Sequence, residues 1–178
     1  GKFQAQETLD LMRLMERTKS FRDTSDYAEY LQAADARRAP AEVLKVLNEG
    51  LAAGKLQATD VFVSDNRGVA QARLAADKAS LPALERDANA PSATPATIMA
   101  AGDAFLSYDE DAKAEGFYSK ALGKPGVDTD RALTRLGIAQ VDQGKFAEAQ
   151  ATFAKVNGAR KPIAQLWSVY AGQKAKGG

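Results

Sequence analysis

The sequence predicts an all-α fold, and two observations support this prediction. Alanine accounts for 36 of the 178 residues, whereas aromatic residues make up only 7%. This balance favours helices, because alanine has the highest helix propensity and strands prefer β-branched and aromatic side chains. Apolar residues also recur at steps of three and four along most of the chain, which is the spacing of one helix face. The length is sufficient for one domain or a short array of repeats.

The composition excludes several kinds of chemistry. The chain has no Cys and no His, which excludes disulfides, thiolate metal sites, cysteine nucleophiles and imidazole ligands. Its 24 basic and 23 acidic side chains leave a net charge of +1, so no strong field favours nucleic acid or an anionic membrane. No apolar run is long enough to cross a bilayer. We therefore expect no cofactor, no metal, no nucleic-acid partner and no membrane insertion.

The N-terminal half predicts an amphipathic helix followed by one helical hairpin. Apolar residues at helical spacing predict the first helix over 3–19. Two further helices are expected within 24–54, because polar residues at 24–26 can cap the first and Pro40 separates it from the second. Gly54 is a suitable helix end.

Residues 55–68 predict a connecting loop. The run Val-Phe-Val at 61–63 has strand propensity, but turn-forming residues follow it at 64–68, and no partner strand is evident in the sequence.

Helical spacing returns over 69–88, where Pro82 leaves two alternatives open. Either a new helix carries Pro82 in its first turn, or one long helix kinks there. Residues 90–95, which contain two prolines, then predict a linker and the cap of the next helix.

The last third of the chain repeats itself at a period of 35 residues. Gly137 and Ala149 lie on either side of a predicted turn, where small side chains let two helices approach closely. The pairs related by this step are Ile98 and Leu133, Gly102 and Gly137, Ala104 and Ala139, Ala114 and Ala149, Tyr118 and Phe153, and Ala121 and Val156. A third, partial copy follows, because Trp167 lies 34 residues after Leu133.

This repeat resembles the tetratricopeptide repeat (TPR), a helical hairpin of about 34 residues that stacks into a solenoid. The resemblance implies an α-solenoid of antiparallel helical hairpins. It predicts an N-terminal helical region over 1–90, with one divergent hairpin at 24–54, and a second region over 91–178. The second region holds two repeats and a C-terminal capping helix. The apolar stripe of that helix is expected to be Ile163, Leu166, Trp167 and Tyr170.

Candidate catalytic and metal-binding residues are few. The densest acidic cluster, at 109–111, lacks the ligand spacing of a calcium loop, so we expect a solvated turn between helices. Other carboxylates leave a carboxylate-only hydrolase as an alternative, although no local spacing favours one. We expect no enzymatic activity.

The second repeat predicts a binding groove. Arg131 and Arg135 are four residues apart, and the phase of the repeat turns both towards the concave side of the solenoid. Two like charges one turn apart repel mildly, so helix stability does not explain them. Both are expected to be exposed and to bind an acidic group of a peptide beside apolar side chains. The candidate groove residues are Met99, Asp103, Leu106, Arg131, Arg135 and Ile138.

These features predict a non-enzymatic scaffold that binds another protein or a peptide. The runs at 27–31 and 48–54 resemble uncharacterised bacterial TPR proteins, many of them exported, which implies a periplasmic or cell-envelope location. The cytoplasm is the alternative. The chain begins with Gly rather than Met, which is compatible with the removal of an upstream export signal. A structural segment of a longer repeat protein is an alternative function, since the helix at 3–19 resembles half of a repeat. The sequence leaves the oligomeric state open.

Overall fold

The all-α prediction is confirmed by a computed structural model, which describes residues 3–177. Within these residues the chain forms nine α-helices, one short 3-10 turn at Gly158–Arg160 and no strand. Gly1, Lys2 and Gly178, which belong to the two predicted regions, lie outside the described residues. The helices are α1 (Ala5–Arg17), α2 (Thr24–Ala34), α3 (Pro40–Ala52), α4 (Val61–Asn89), α5 (Pro95–Ser107), α6 (Asp111–Leu122), α7 (Thr129–Asp142), α8 (Phe146–Phe153) and α9 (Lys161–Ala175).

The chain divides into two compact units between Ser80 and Leu81. The predicted boundary lies ten residues later, after residue 90. The two positions differ because Leu81 and Ala88, on the last turns of α4, are buried and belong to the C-terminal unit.

In the N-terminal unit, α1, α2 and α3 pack in sequence order around one apolar core. The predicted pair of helices within 24–54 is confirmed, and Pro40 occupies the first turn of α3. The cap of α2 is Asp23, one residue before the predicted capping residues, because its carboxylate accepts from the backbone N–H of Ser25. A Cβ added at Gly50 would lie 3.0 Å from the Tyr27 ring, so this pair of helices also packs through a glycine.

The expectation of a loop throughout residues 55–68 is wrong for its second half, because α4 begins at Val61. The Asp60 carboxylate accepts from the backbone N–H of Phe62, which caps the helix. Val63 is buried in the core of the N-terminal unit. Capping and burial therefore outweigh the strand propensity of this run. The helix continues through Pro82, so the single-helix alternative is the correct one.

The C-terminal unit places each helix from α5 to α9 against the next one along the chain. A Cβ added at Gly102 would lie 2.6 Å from the Tyr118 ring, and one at Gly137 would lie 2.6 Å from Cζ of Phe153. Gly102 lets α5 approach α6, and Gly137 lets α7 approach α8 at the equivalent position of the second repeat. Gly144 has a φ of +76°, and Asp109, its counterpart in the first copy, has a φ of +57°.

The last helix buries only part of its predicted apolar stripe. Ile163 and Trp167 are fully buried, and Trp167 stacks on Phe153 with ring centroids 6.2 Å apart. Leu166 is 51% exposed, so its assignment to the buried stripe is wrong. Successive residues of a helix are about 100° apart, which places Leu166 away from the face that Trp167 buries.

Candidate functional site

The predicted groove brings together four polar side chains from three helices, which we call the Asp103 cluster: Asp103, Tyr118, Arg131 and Arg135. Asp103 follows Gly102 on α5, where α5 approaches α6 closely enough for Tyr118 to reach it. Arg131 lies in the first turn of α7, and Arg135 follows one turn later on the same helix face. The four-residue spacing therefore lets both guanidinium groups converge on a single carboxylate.

Asp103 receives hydrogen bonds from all three of the other side chains. Arg131 Nη2 donates to Oδ2 at 2.5 Å, and Arg135 Nη1 donates to Oδ1 at 2.5 Å. The Tyr118 hydroxyl donates to Oδ1 at 2.9 Å. Burial raises the pKa of Asp103, but Arg135 and Arg131 outweigh this effect, so the pKa lies below its ordinary value. The cluster thus holds one carboxylate and two guanidinium groups, with a formal charge of +1.

The members of the cluster differ in exposure. The side chain of Arg135 is 1% exposed, whereas Asp103 and Arg131 are 25% and 26% exposed. The expectation that both arginines are exposed is therefore wrong for Arg135. The Nε–H of Arg131 is buried and has no acceptor among the described residues. The accessible part of the cluster is the edge formed by Asp103 and Arg131.

The three apolar residues of the predicted groove do not line an open surface. Met99, Leu106 and Ile138 are all buried. Ile138 lies on α7, which packs against α6, α8 and α9 and buries every residue from 132 to 141, and Met99 and Leu106 lie on α5, which packs against α6. The expectation that these three side chains contact a peptide directly is therefore wrong, because they are buried.

Sequence reasoning missed a second cluster in the same unit, centred on Glu115. Its carboxylate accepts from Lys145 Nζ at 2.6 Å and from Gln143 Nε2 at 2.7 Å. Gln140 donates to the other carboxylate oxygen at 3.3 Å and accepts from Thr152. These hydrogen bonds link α6 to the end of α7 and to the turn that follows it. No local spacing signals them, because the partners are 25 to 30 residues apart.

A third cluster, also missed, lies in the N-terminal unit. Arg13 makes two hydrogen bonds of 2.7 Å to the carboxylate of Glu42 and a third, of 3.2 Å, to Asp10. The Tyr30 hydroxyl donates to Glu42 at 2.7 Å. Burial raises the pKa of Glu42, but Arg13 outweighs it, so the pKa is lowered. The side chains of Arg13, Glu42 and Asp10 are at most 8% exposed, which makes this cluster part of the core.

We also searched the described residues for metal-binding groups and for helices that could cross a membrane. In residues 3–177, no group of three or more acidic side chains is arranged to hold a metal ion. Glu110, in the acidic cluster at 109–111, pairs with Lys113 one turn further along α6. None of the helices in the described part combines the length and apolar character needed to cross a bilayer.

The chain matches no protein-family model, no curated protein and no solved structure in the three comparisons.

Proposed function

We propose that this chain is a helical repeat module of the TPR type, an α-solenoid that binds another protein or a peptide without covalent chemistry. The observation that supports this proposal is a contact that occurs twice at the same step. Gly102 packs on Tyr118, and 35 residues later Gly137 packs on Phe153. Hairpins that share the same internal contact are copies of one unit, and such copies stack into a solenoid, whose extended surfaces bind protein segments.

The proposed contact for an acidic group is the exposed edge of the Asp103 cluster. The side chain of Arg131 is partly exposed, and two arginines share one carboxylate in this cluster, which leaves an excess positive charge. A carboxylate of a peptide would accept a charge-assisted hydrogen bond from Arg131. Arg135 acts indirectly, because it holds Asp103 from the buried side and so leaves Arg131 only partly neutralised.

The resemblance to exported bacterial repeat proteins supports the cell envelope as the compartment. The partner is therefore to be sought among envelope proteins. The first experiment is a pull-down of the full-length protein from its native host, with the captured proteins identified by mass spectrometry. One recurrent envelope protein supports the proposal, whereas capture of general chaperones alone contradicts it.

The second experiment titrates the identified partner against Arg131→Ala and a charge-matched control, Arg38→Ala. Arg38 is exposed in the connection between α2 and α3, in the other unit. Loss of one charge-assisted hydrogen bond is expected to weaken binding by about 1–3 kcal/mol in Arg131→Ala and to leave the control unchanged. Equal affinities in two well-folded variants would exclude this edge as the binding surface.

A further inference from the structure

A cavity of about 340 Å³ lies in the N-terminal unit, between the C-terminal end of α2 and the first turns of α4, and we call it the α2–α4 cavity. Its base is apolar, because Leu31 and Ala36 are buried and Val69 is half-buried. Charged side chains from α4 and from the turn after α2 surround this base. An apolar base with a few charged groups around it is typical of a site for a small molecule.

One face of α4 changes from acidic to basic along the cavity. Asp65, Val69 and Arg73 are spaced by four residues, so they share this face, with about 6 Å along the helix axis between neighbours. Arg73 is held beside the turn after α2, because its Nε–H donates to the backbone carbonyl of Arg37 at 3.1 Å. The acidic end, at Asp65, and the basic end, at Arg37 and Arg73, are therefore about 12 Å apart along the axis.

The charges at the two ends are available to a ligand. Asp65 and Arg37 are both exposed, and neither side chain forms a salt bridge with another described residue. The carboxylate of Asp35 differs, because it accepts from the backbone N–H of Arg37 at 2.9 Å and so stabilises its own turn. A ligand would therefore find one accessible carboxylate and accessible guanidinium groups at opposite ends of the cavity.

The balance of charge indicates what kind of ligand fits. Two carboxylates, of Asp35 and Asp65, stand against two guanidinium groups, of Arg37 and Arg73, so the formal charges cancel. A simple cation would meet the arginines, and a simple anion such as phosphate would meet the carboxylates. A zwitterion avoids both conflicts, because its ammonium group pairs with Asp65 and its carboxylate with the guanidinium groups.

The distance between the two ends determines the length of the zwitterion. In a free amino acid the ammonium and the carboxylate are attached to one carbon atom, so they cannot reach ends that are about 12 Å apart. An extended peptide spans at most about 3.3–3.6 Å per residue, so two or three residues span about 7–11 Å. The long arginine side chains can bridge the remaining distance.

We propose that the α2–α4 cavity binds a free peptide of two or three residues. The N-terminal ammonium group donates to Asp65, the C-terminal carboxylate accepts from Arg37 and Arg73, and small apolar side chains lie over Leu31 and Val69. This site belongs to the N-terminal unit, whereas the Asp103 cluster belongs to the other unit. The proposal therefore does not rest on the proposed function.

The test is calorimetric titration of the whole chain with the tripeptide Ala-Val-Ala. Three matched ligands accompany it: the N-acetylated tripeptide, which lacks the ammonium group; the C-terminal amide, which lacks the carboxylate; and free valine, which is too short. The variants are Asp65→Asn and the double variant Arg37→Gln with Arg73→Gln. The controls, Glu29→Gln and Arg38→Gln, change exposed side chains that do not line the cavity.

We expect each blocked tripeptide to bind the wild type at least five-fold more weakly than the free one, because each lacks one charge-assisted hydrogen bond. Asp65→Asn should bind the free and the acetylated tripeptide equally, and the double variant should bind the free and the amidated one equally. Both controls and Arg131→Ala should match the wild type. Circular dichroism should show unchanged folding, because all the substituted side chains of the cavity are exposed.

Three results would overturn the proposal. The first is equal binding of the free and the blocked tripeptides to the wild type, because the two charged ends would then have no role. The second is binding of valine as tight as that of the tripeptide, which would contradict the argument from length. The third is a failure of the tripeptide to bind the folded wild type, or undiminished binding to Asp65→Asn.

Discussion

At the scale of single residues, the glycine–aromatic contacts show where the sequence tolerates least change. A methyl group at position 137 would meet the Phe153 ring, whereas one at Gly116, on the exposed side of α6, would meet nothing within 4 Å. We expect Gly137→Ala to lower the free energy of unfolding by about 1–3 kcal/mol, because overpacking forces the ring or the helices to move. Gly116→Ala should raise it by up to about 1 kcal/mol, because alanine favours the helix. Chemical denaturation measures both, and equal effects would contradict the contact.

A second residue-scale prediction concerns the buried pair of Arg13 and Glu42. Glu42→Gln should destabilise the chain by about 3–5 kcal/mol, because a neutral amide no longer balances the positive charge of the buried Arg13 guanidinium. The double variant Arg13→Met with Glu42→Leu should recover most of this loss, since well-packed apolar residues often replace a buried ion pair without penalty. Glu29→Gln, at an exposed position of α2, is the matched control. A double variant as unstable as the single one would show that the pair contributes net stability.

At the scale of elements, the turn between α7 and α8 depends on one residue with a left-handed backbone conformation. Gly144 has a φ of +76°, whereas Gly123, in the connection after α6, has a φ of −81°. Gly144→Ala is expected to cost about 1–2 kcal/mol, because a Cβ disfavours the left-handed region. Gly123→Ala, at an ordinary backbone angle, should change the free energy of unfolding by less than about 0.5 kcal/mol. Thermal unfolding of both variants checks the difference.

The elements were predictable from the sequence wherever periodicity and caps agree. Pro40 and Pro95 lie in the first turns of α3 and α5, as their spacing predicts. The start of α4 was not predictable, because residues 61–63 favour a strand and the residues that follow favour a turn. The decisive interactions are the Asp60 cap and the burial of Val63, and burial depends on the folded unit rather than on local sequence.

The sequence predicted three of the four residues of the Asp103 cluster, but neither Tyr118 nor the burial of Arg135. The repeat placed Asp103, Arg131 and Arg135 together, since one step of 35 residues aligns α5 with α7. It could not reveal that Arg135 is buried, because burial depends on the helices that pack around α7. The contacts of Glu115 with α7 and the following turn, and the pair of Arg13 and Glu42, join residues at least 25 positions apart, and such pairings leave no pattern in a single sequence.

At the scale of the whole molecule, the buried ion pairs determine the response to pH. The pKa values of Glu42 and Asp103 lie below their ordinary values, because paired arginines outweigh burial. The folded state therefore binds fewer protons than the unfolded state, so this stabilisation is complete above a pH of about 4 to 5 and is lost as the pH falls through the lowered values. Burial and Glu16 raise the pKa of Glu49, which offsets part of the effect.

We accordingly expect the melting temperature to be nearly constant from about pH 6 to pH 8, where the chain has no histidine to titrate, and to fall below about pH 4. In a unit of this size, a decrease of about 1 kcal/mol in the free energy of unfolding lowers the melting temperature by about 4–8 °C. Calorimetry across this range is the measurement. In the double variant Arg13→Met with Glu42→Leu, the melting temperature should fall less at low pH. If it falls as much as in the wild type, other carboxylates cause the acid sensitivity.

The stacking of Trp167 on Phe153 also gives the chain a built-in optical reporter. Trp167 is the single tryptophan of the sequence, and it is fully buried within the C-terminal unit. Its emission follows the opening of that unit alone, whereas far-ultraviolet dichroism follows the helices of both units. Coincident transitions in the two signals would mean that the units unfold as one cooperative body. Separate transitions would give the stability of each unit from a single sample without any attached label.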